Sequence, residues 1–186
     1  MQAFLKKHGE GHAHHSVKVE WSILGQEFLI KFSVNKRTSR PWLFDEAFTT
    51  DWSKNWGLWN KDVVEVFLQL RKFPDDIKAP YLELQVSPHN QPFALIVTEP
   101  RVHFSPPKEL IFSHEVSVVG RSWITEMKVT LPTELLPKEP IDIEVYGSFF
   151  ACLDQEPREY FALELNPGPT PDFHLPELFL PLKVHE

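Results

Sequence analysis

Proline sets the terms for this chain. Its 186 residues include 17 prolines and only 7 glycines, so proline stands at about 9% where ~5% is usual. The prolines recur from Pro41 to Pro181. Each removes a backbone donor and fixes φ, which costs about 3 kcal/mol or more inside a helix. Long helices therefore have almost nowhere to sit. What lies between the prolines alternates with period two. In Glu27 to Val34, Phe28, Ile30, Phe32 and Val34 share one face, with Glu27, Lys31 and Ser33 on the other. Val17, Val19, Trp21 and Ile23 repeat the pattern, and Gly25-Gln26 between the two runs suits a hairpin turn. Tyr81 to Ser87 and Trp123 to Leu131 alternate in the same way, while Val63 to Leu70 is almost continuously apolar. With Phe93 to Val97, Val116 to Val119, Ile141 to Phe150 and Tyr160 to Leu165, about nine strands are expected. Only Pro132 to Leu136 reads as a helical turn. The fold class is all-β: an antiparallel β-sandwich, jelly-roll-like with immunoglobulin-like layers and little helix.

Composition removes several functions. Hydrophobic residues are 42% of the chain, enough for a core in a domain that buries roughly 70% of its unfolded surface. Nineteen Lys and Arg against 26 Asp and Glu give a net charge of −7. That argues against nucleic-acid binding, which draws on cationic counterion release. The longest apolar runs, such as Phe93 to Val97, are far short of the ~20 residues of a membrane helix. A single cysteine, Cys152, excludes an intrachain disulfide and a cysteine-based zinc site. Residues 1–15 are expected as a flexible, His-rich tail carrying His8, His12, His14 and His15, with one domain over 16–186. No apolar segment follows Lys6 and Lys7, so the chain reads as cytoplasmic, or as periplasmic or secreted if its start is trimmed.

Catalytic signatures are missing. The chain has no Gly-rich phosphate loop, no His-Glu-x-x-His and no Gly-x-Ser-x-Gly. Asp62 and Glu65 are three apart, which on a strand puts them on opposite faces, although Glu83 on a neighbouring strand could approach either. No enzyme is expected. The aromatic residues say more. Trp42, Phe44, Phe48, Trp52, Trp56 and Trp59 fall in a long polar connection, the kind of segment that often carries function. Two uses stay open for them: plugging one end of a sandwich, or offering flat apolar faces on which sugar rings stack.

Three motifs then appear in order. Residues Leu58-Trp59-Asn60-Lys61-Asp62-Val63-Val64-Glu65-Val66-Phe67 resemble the Trp-x-x-Asp-x-x-Glu-(aliphatic)-Phe motif of family 9 carbohydrate-binding modules and the wider DOMON-like group. Tyr81-Leu82-Glu83-Leu84-Gln85-Val86-Ser87-Pro88 is similar to the Tyr-x-Glu-x-x-x-Ser-Pro strand of that group. Pro171 to Phe179 resembles its closing Asp-Phe-His-x-Pro segment. The resemblance implies a non-catalytic module holding a mono- or oligosaccharide between two aromatic rings. Trp59 matches the first ring, and Phe173 falls where the second, a tryptophan in the sugar-binding modules, would stand. Glu65 matches the carboxylate that accepts sugar hydroxyls, Gln85 and Ser87 fall at polar contact positions, and His174 follows the second ring. Calcium occurs in such modules, but no compact Asp/Asn cluster resembles a calcium loop; Asp45, Glu46 and Asp51 are its candidates, and no cofactor is expected. Two alternatives accompany this reading: a ligand-free DOMON-like scaffold with a protein partner, and a haem-binding module, for which Met127 is the one internal methionine.

Overall fold

A computed structural model describes residues 1–136, 144–154 and 156–182. Thirteen strands are assigned among them. In chain order they are β1 (Gln2–Phe4), β2 (Lys6–Lys7), β3 (His15–Leu24), β4 (Glu27–Lys36), β5 (Val63–Arg71), β6 (Tyr81–Val86) and β7 (Pro92–Glu99). Then follow β8 (His103–Ser105), β9 (Ile111–Val119), β10 (Ser122–Thr130), β11 (Glu144–Leu153), β12 (Glu159–Ala162) and β13 (Leu180–Pro181). No α-helix occurs among the described residues; the helical pieces are 3₁₀ turns at Leu58–Asn60, Thr133–Leu135 and Pro176–Leu178. The expected turn at Pro132 to Leu136 is the second of these. Residues 141–143, expected to begin a strand, lie outside the described residues.

The strands form two antiparallel sheets. The smaller runs β1-β3-β4-β10-β9, and the larger runs β2-β12-β11-β5-β6-β7-β8, with β13 paired to the other end of β11. The fold is the antiparallel β-sandwich that the alternation predicts. β3 and β4 meet across Gly25-Gln26, with Leu24 opposite Glu27 and Gly25 at φ 62°, the left-handed value that a two-residue hairpin loop favours.

The core lies between the sheets. Val17, Val19, Phe28, Ile30, Phe32, Trp123, Met127 and Val129 point inward from the smaller sheet, and Val64, Val66, Leu68, Leu82, Leu84, Phe149 and Ala151 from the larger. Met127 is 2% exposed in this core, which removes the residue on which the haem alternative leaned. The larger sheet is buried on both faces. Its outward residues Val63, Phe67, Tyr81, Phe93, Leu95, Val97, Phe150 and Cys152 form a second cluster with Leu58 and Phe179. This explains the near-continuous apolar run at Val63: alternate residues face two separate cores.

Residues 1–15, expected as a flexible tail, are drawn onto both sheets instead. Gln2–Phe4 pairs with β3, and Lys6–Lys7 pairs with β12. Leu5 is buried between them, and the His8 amide donates to Tyr160 O at 2.8 Å. Composition marks this segment as polar but carries no sign of the open strand edges that bind its backbone. His15 is likewise buried, with Nδ1 2.7 Å from Glu159 Oε2.

Candidate functional site

The outward face of the larger sheet is packed by parts of two long segments, Phe48, Leu58 and Trp59 from residues 37–62 and Leu165, Phe173 and Phe179 from residues 163–179, and beside them a cleft of about 830 Å³ opens. That is within the ~300–1,000 Å³ range of small-molecule sites. Its floor comes from strand register. Glu65 on β5 is opposite Gln85 on β6, and Glu83 stands two residues before Gln85 on the same face. The three polar side chains therefore form one patch, bordered by Cys152 from β11.

The first wall is Trp59. Residues 55–61 close a tight turn through Leu58 N to Asn55 O at 3.1 Å, Asn60 N to Gly57 O at 3.0 Å and Lys61 N to Leu58 O at 2.9 Å. Gly57 takes φ 90°, a left-handed conformation that disfavours side chains. Leu58 is fully buried as the anchor. Asn55, also buried, donates through Nδ2 to Thr49 O and Pro92 O, both at 2.6 Å. Trp59 is left half-buried, braced by Trp56 edge-on at 4.9 Å and by Phe93 at 5.8 Å between ring centroids. Trp56 lies beside Phe104 at 5.0 Å, and both are exposed at the cleft lip.

The second wall is Phe173. It stacks on Phe150 at 4.2 Å and 18° and meets Tyr160 edge-on at 6.1 Å. Asp172 shapes this segment: its Oδ1 accepts the His174 amide at 3.1 Å, and its amide donates to Asn166 Oδ1 at 3.3 Å. Asp172 also pairs with Arg101, which links the β7–β8 turn to the second wall. Arg158 serves the first wall. Its Nη2 donates to Trp59 O at 2.5 Å and Lys61 O at 2.8 Å, and its Nη1 to Asp154 O at 2.8 Å.

The electrostatics follow from burial. Glu65 and Glu83 are each 3% exposed. Loss of water pushes both carboxyls well above the usual range, and the charge of Glu83 raises Glu65 further, against the pull of Arg158. Gln85 Nε2 donates to Glu83 Oε1 at 2.7 Å. The remaining acceptors, Glu83 Oε2 and Gln85 Oε1, are buried with no hydrogen-bond partner among the described residues. The nearby His174 Nε2 is 3.9 Å from Glu83 Oε2, beyond hydrogen-bond reach. On its other side His174 Nδ1 is 2.7 Å from the Tyr81 hydroxyl. Burial, helped by Arg101, brings His174 down to about 4, so its ring is neutral at physiological pH.

The structure thus gathers Trp59, Glu65, Gln85, Phe173 and His174 around one cleft. Ser87 does not join them. It is fully buried at the end of the strand, where its Oγ accepts the His89 and Gln91 amides at 3.2 and 3.3 Å and donates to Gln91 Oε1 at 3.1 Å. Ser87 closes a turn; its hydrogen-bonding capacity is used there. Sequence reasoning misses Glu83, Arg101, Arg158 and Asp172 as residues of this cleft. Glu83 and Gln85 alternate on one strand face, which was the available signal for Glu83; the two arginines had none. The aromatic connection divides between its two open uses. Trp42 packs on Trp123 at 5.5 Å and Trp52 against the inter-sheet core, whereas Trp56 and Trp59 line the cleft. Asp45 pairs with Lys61 and Asp51 with Lys54. Among the described residues no group of three or more His, Cys, Asp or Glu is placed to hold a metal ion, and no helix is long and apolar enough to cross a membrane.

No family model matches the chain. It is 33% identical over 134 residues to the UPF0462 protein C4orf33 homolog of Mus musculus, covering 69% of this chain and 64% of that protein. It is 33% identical over 134 residues to the homolog of Rattus norvegicus, with 69% and 61% covered, and 33% identical over 128 residues to UPF0462 protein C4orf33 of Homo sapiens, with 66% and 58% covered. The chain therefore spans less than two thirds of the length of these relatives. Among solved structures it is similar to a family 9 carbohydrate-binding module from Caldicellulosiruptor kristjanssonii in complex with glucose. The TM-score is 0.56 at 16% identity, over 97% of this chain and 84% of that one. The same module in complex with cellotriose matches equally, over 97% and 81%. At this identity the likeness concerns the fold: this chain has the β-sandwich of those modules.

Proposed function

We propose that the protein is a non-catalytic carbohydrate-binding module, with a pyranose ring held between Trp59 and Phe173 and its hydroxyls turned to Glu65, Glu83, Gln85 and His174. The observation that carries this reading is the pair of buried acceptors, Glu83 Oε2 and Gln85 Oε1, left without partners beneath two aromatic walls. Unpartnered buried polar atoms cost about 1–3 kcal/mol each, and a polyol supplies the missing donors while its C–H face covers the rings. That the structurally similar modules carry glucose and cellotriose in their complexes adds support from the fold. Each ring contact is worth on the order of 1 kcal/mol beyond area burial, by analogy with aromatic pairs. With ordering costs deducted, micromolar to millimolar affinity is expected. Calorimetric titration with glucose, cellobiose and xylobiose tests it: binding by the wild-type protein and its loss in Trp59→Ala are expected. A Trp59→Ala protein that binds all three as well as wild type would place the slot elsewhere.

A further inference from the structure

The cleft floor favours more than hydroxyls, and an inference resting on the carbohydrate reading follows from it. We propose that the ligand carries a positive charge at its deep end: a pyranose with a free amino group, as in 2-amino-2-deoxyglucose or a short chain of such units, its ammonium seated against Glu83 and Gln85.

Four observations lead there. The unpartnered buried atoms of the floor, Glu83 Oε2 and Gln85 Oε1, are both acceptors, so the deep end of the ligand must donate. An ammonium offers three donors and no acceptor, whereas each hydroxyl brings an acceptor that would need a donor of its own. The charge balance points the same way. Three carboxylates, those of Glu65, Glu83 and Asp172, line the cleft against two guanidiniums, those of Arg101 and Arg158. Both guanidiniums are engaged elsewhere, Arg101 with Asp172 and Arg158 with the carbonyls of Asp154, Trp59 and Lys61. Neither forms an ion pair with Glu65 or Glu83 among the described residues. His174 is the other basic group facing Glu83 and stands at 3.9 Å with a neutral ring. Burial also raises both floor carboxyls, because water no longer solvates their charge, and a cation seated beside them would restore that stabilisation. Finally, Trp56, Trp59 and Phe173 line the same cleft, and aromatic faces attract a cation as well as a C–H surface.

Titration of the whole chain near neutral pH with glucosamine, glucose and N-acetylglucosamine tests the proposal. The three share a ring and differ at one substituent: charged amine, hydroxyl and neutral amide. Glucosamine is expected to bind roughly tenfold more tightly than glucose, the difference between a charge-assisted and a neutral hydrogen bond. In Glu83→Gln, which keeps the side-chain shape, the ratio of the two affinities is expected to fall toward one. Glucose or N-acetylglucosamine binding as tightly as glucosamine to the wild-type protein would overturn the amine proposal and leave the carbohydrate reading standing. Absence of binding by all three would overturn both. The wild-type comparison decides the proposal even if Glu83→Gln does not fold.

Discussion

Trp59 stands where it does because Arg158 holds its backbone. One guanidinium spans the carbonyls of Trp59 and Lys61 on one segment and that of Asp154 at the end of β11. Replacing Arg158 by Met keeps the apolar stem and removes all the donors. Hydrogen bonds to a charged group are worth about 1.5–3 kcal/mol, so Arg158→Met is expected to lower stability by about that amount in denaturant titration. It is also expected to weaken sugar binding at temperatures where the protein stays folded. Arg101→Met is the contrast: its ion pair with Asp172 is half-exposed, and such pairs contribute little, so its melting temperature should stay close to wild type. Full sugar affinity in folded Arg158→Met would mean that Leu58 and Asn55 hold the tryptophan unaided. The residues of this site differ in how they could be read. Trp59, Glu65 and His174 announce themselves by chemical type within recognisable runs. Ser87 carried the same type signal and is spent on a turn, because a hydroxyl near a strand end is as useful to the backbone as to a ligand. Arg158 is almost a hundred residues from the turn it secures, and no spacing rule reaches that far.

At the scale of elements, the site exists because the larger sheet has no solvent face. β11 runs between β5 on one side and the short β12 and β13 on the other, and Gly147 lies where the packing is tightest. A methyl group there would meet Phe67 O and Leu182 Cδ1, each at 2.7 Å. The carbonyl is strand backbone and cannot swing away. Gly147→Ala is therefore expected to cost about 1–3 kcal/mol, read as a fall in melting temperature of about 2–4 °C per kcal/mol for a chain of this size. An unchanged melting temperature would show that the sheet yields at this point. Period two made the long strands legible: β3, β4, β5, β6 and β10 match the alternating or apolar runs almost residue for residue. β1, β2, β8 and β13 did not emerge, since segments of two or three residues have no period and depend on the edges they join. β9 was read only from Val116, because the outward residues of Ile111–Val119 mix exposed apolar and polar types. The first covering segment was legible as a connection and the second only beyond the run Tyr160 to Leu165, which reads as a strand although β12 ends at Ala162; their meeting over one sheet face depends on tertiary packing that local patterns do not encode.

The molecule as a whole carries an electrostatic cost at this cleft. Glu65 and Glu83 have folded pKa values raised above those of the unfolded chain, chiefly by burial. Between the ordinary carboxylate range and the raised values the folded state binds more protons than the unfolded state, so stability falls as pH rises across that window. Below the window both states are protonated and the contribution is fully present; above it, it is lost. The net charge of −7 adds a general repulsion that also grows with pH, so a pH profile of the wild-type protein alone would mix the two effects. The double variant Glu65→Gln, Glu83→Gln separates them, because it removes the buried acids and preserves their shape. Melting temperatures of both proteins from mildly acidic to mildly alkaline buffer are expected to diverge upward through neutrality, with the variant gaining on wild type as pH rises. Parallel profiles would mean that the two carboxyls are already relieved in the folded chain. In that case the floor of the cleft would not be the source of strain that a donor-rich ligand is proposed to release.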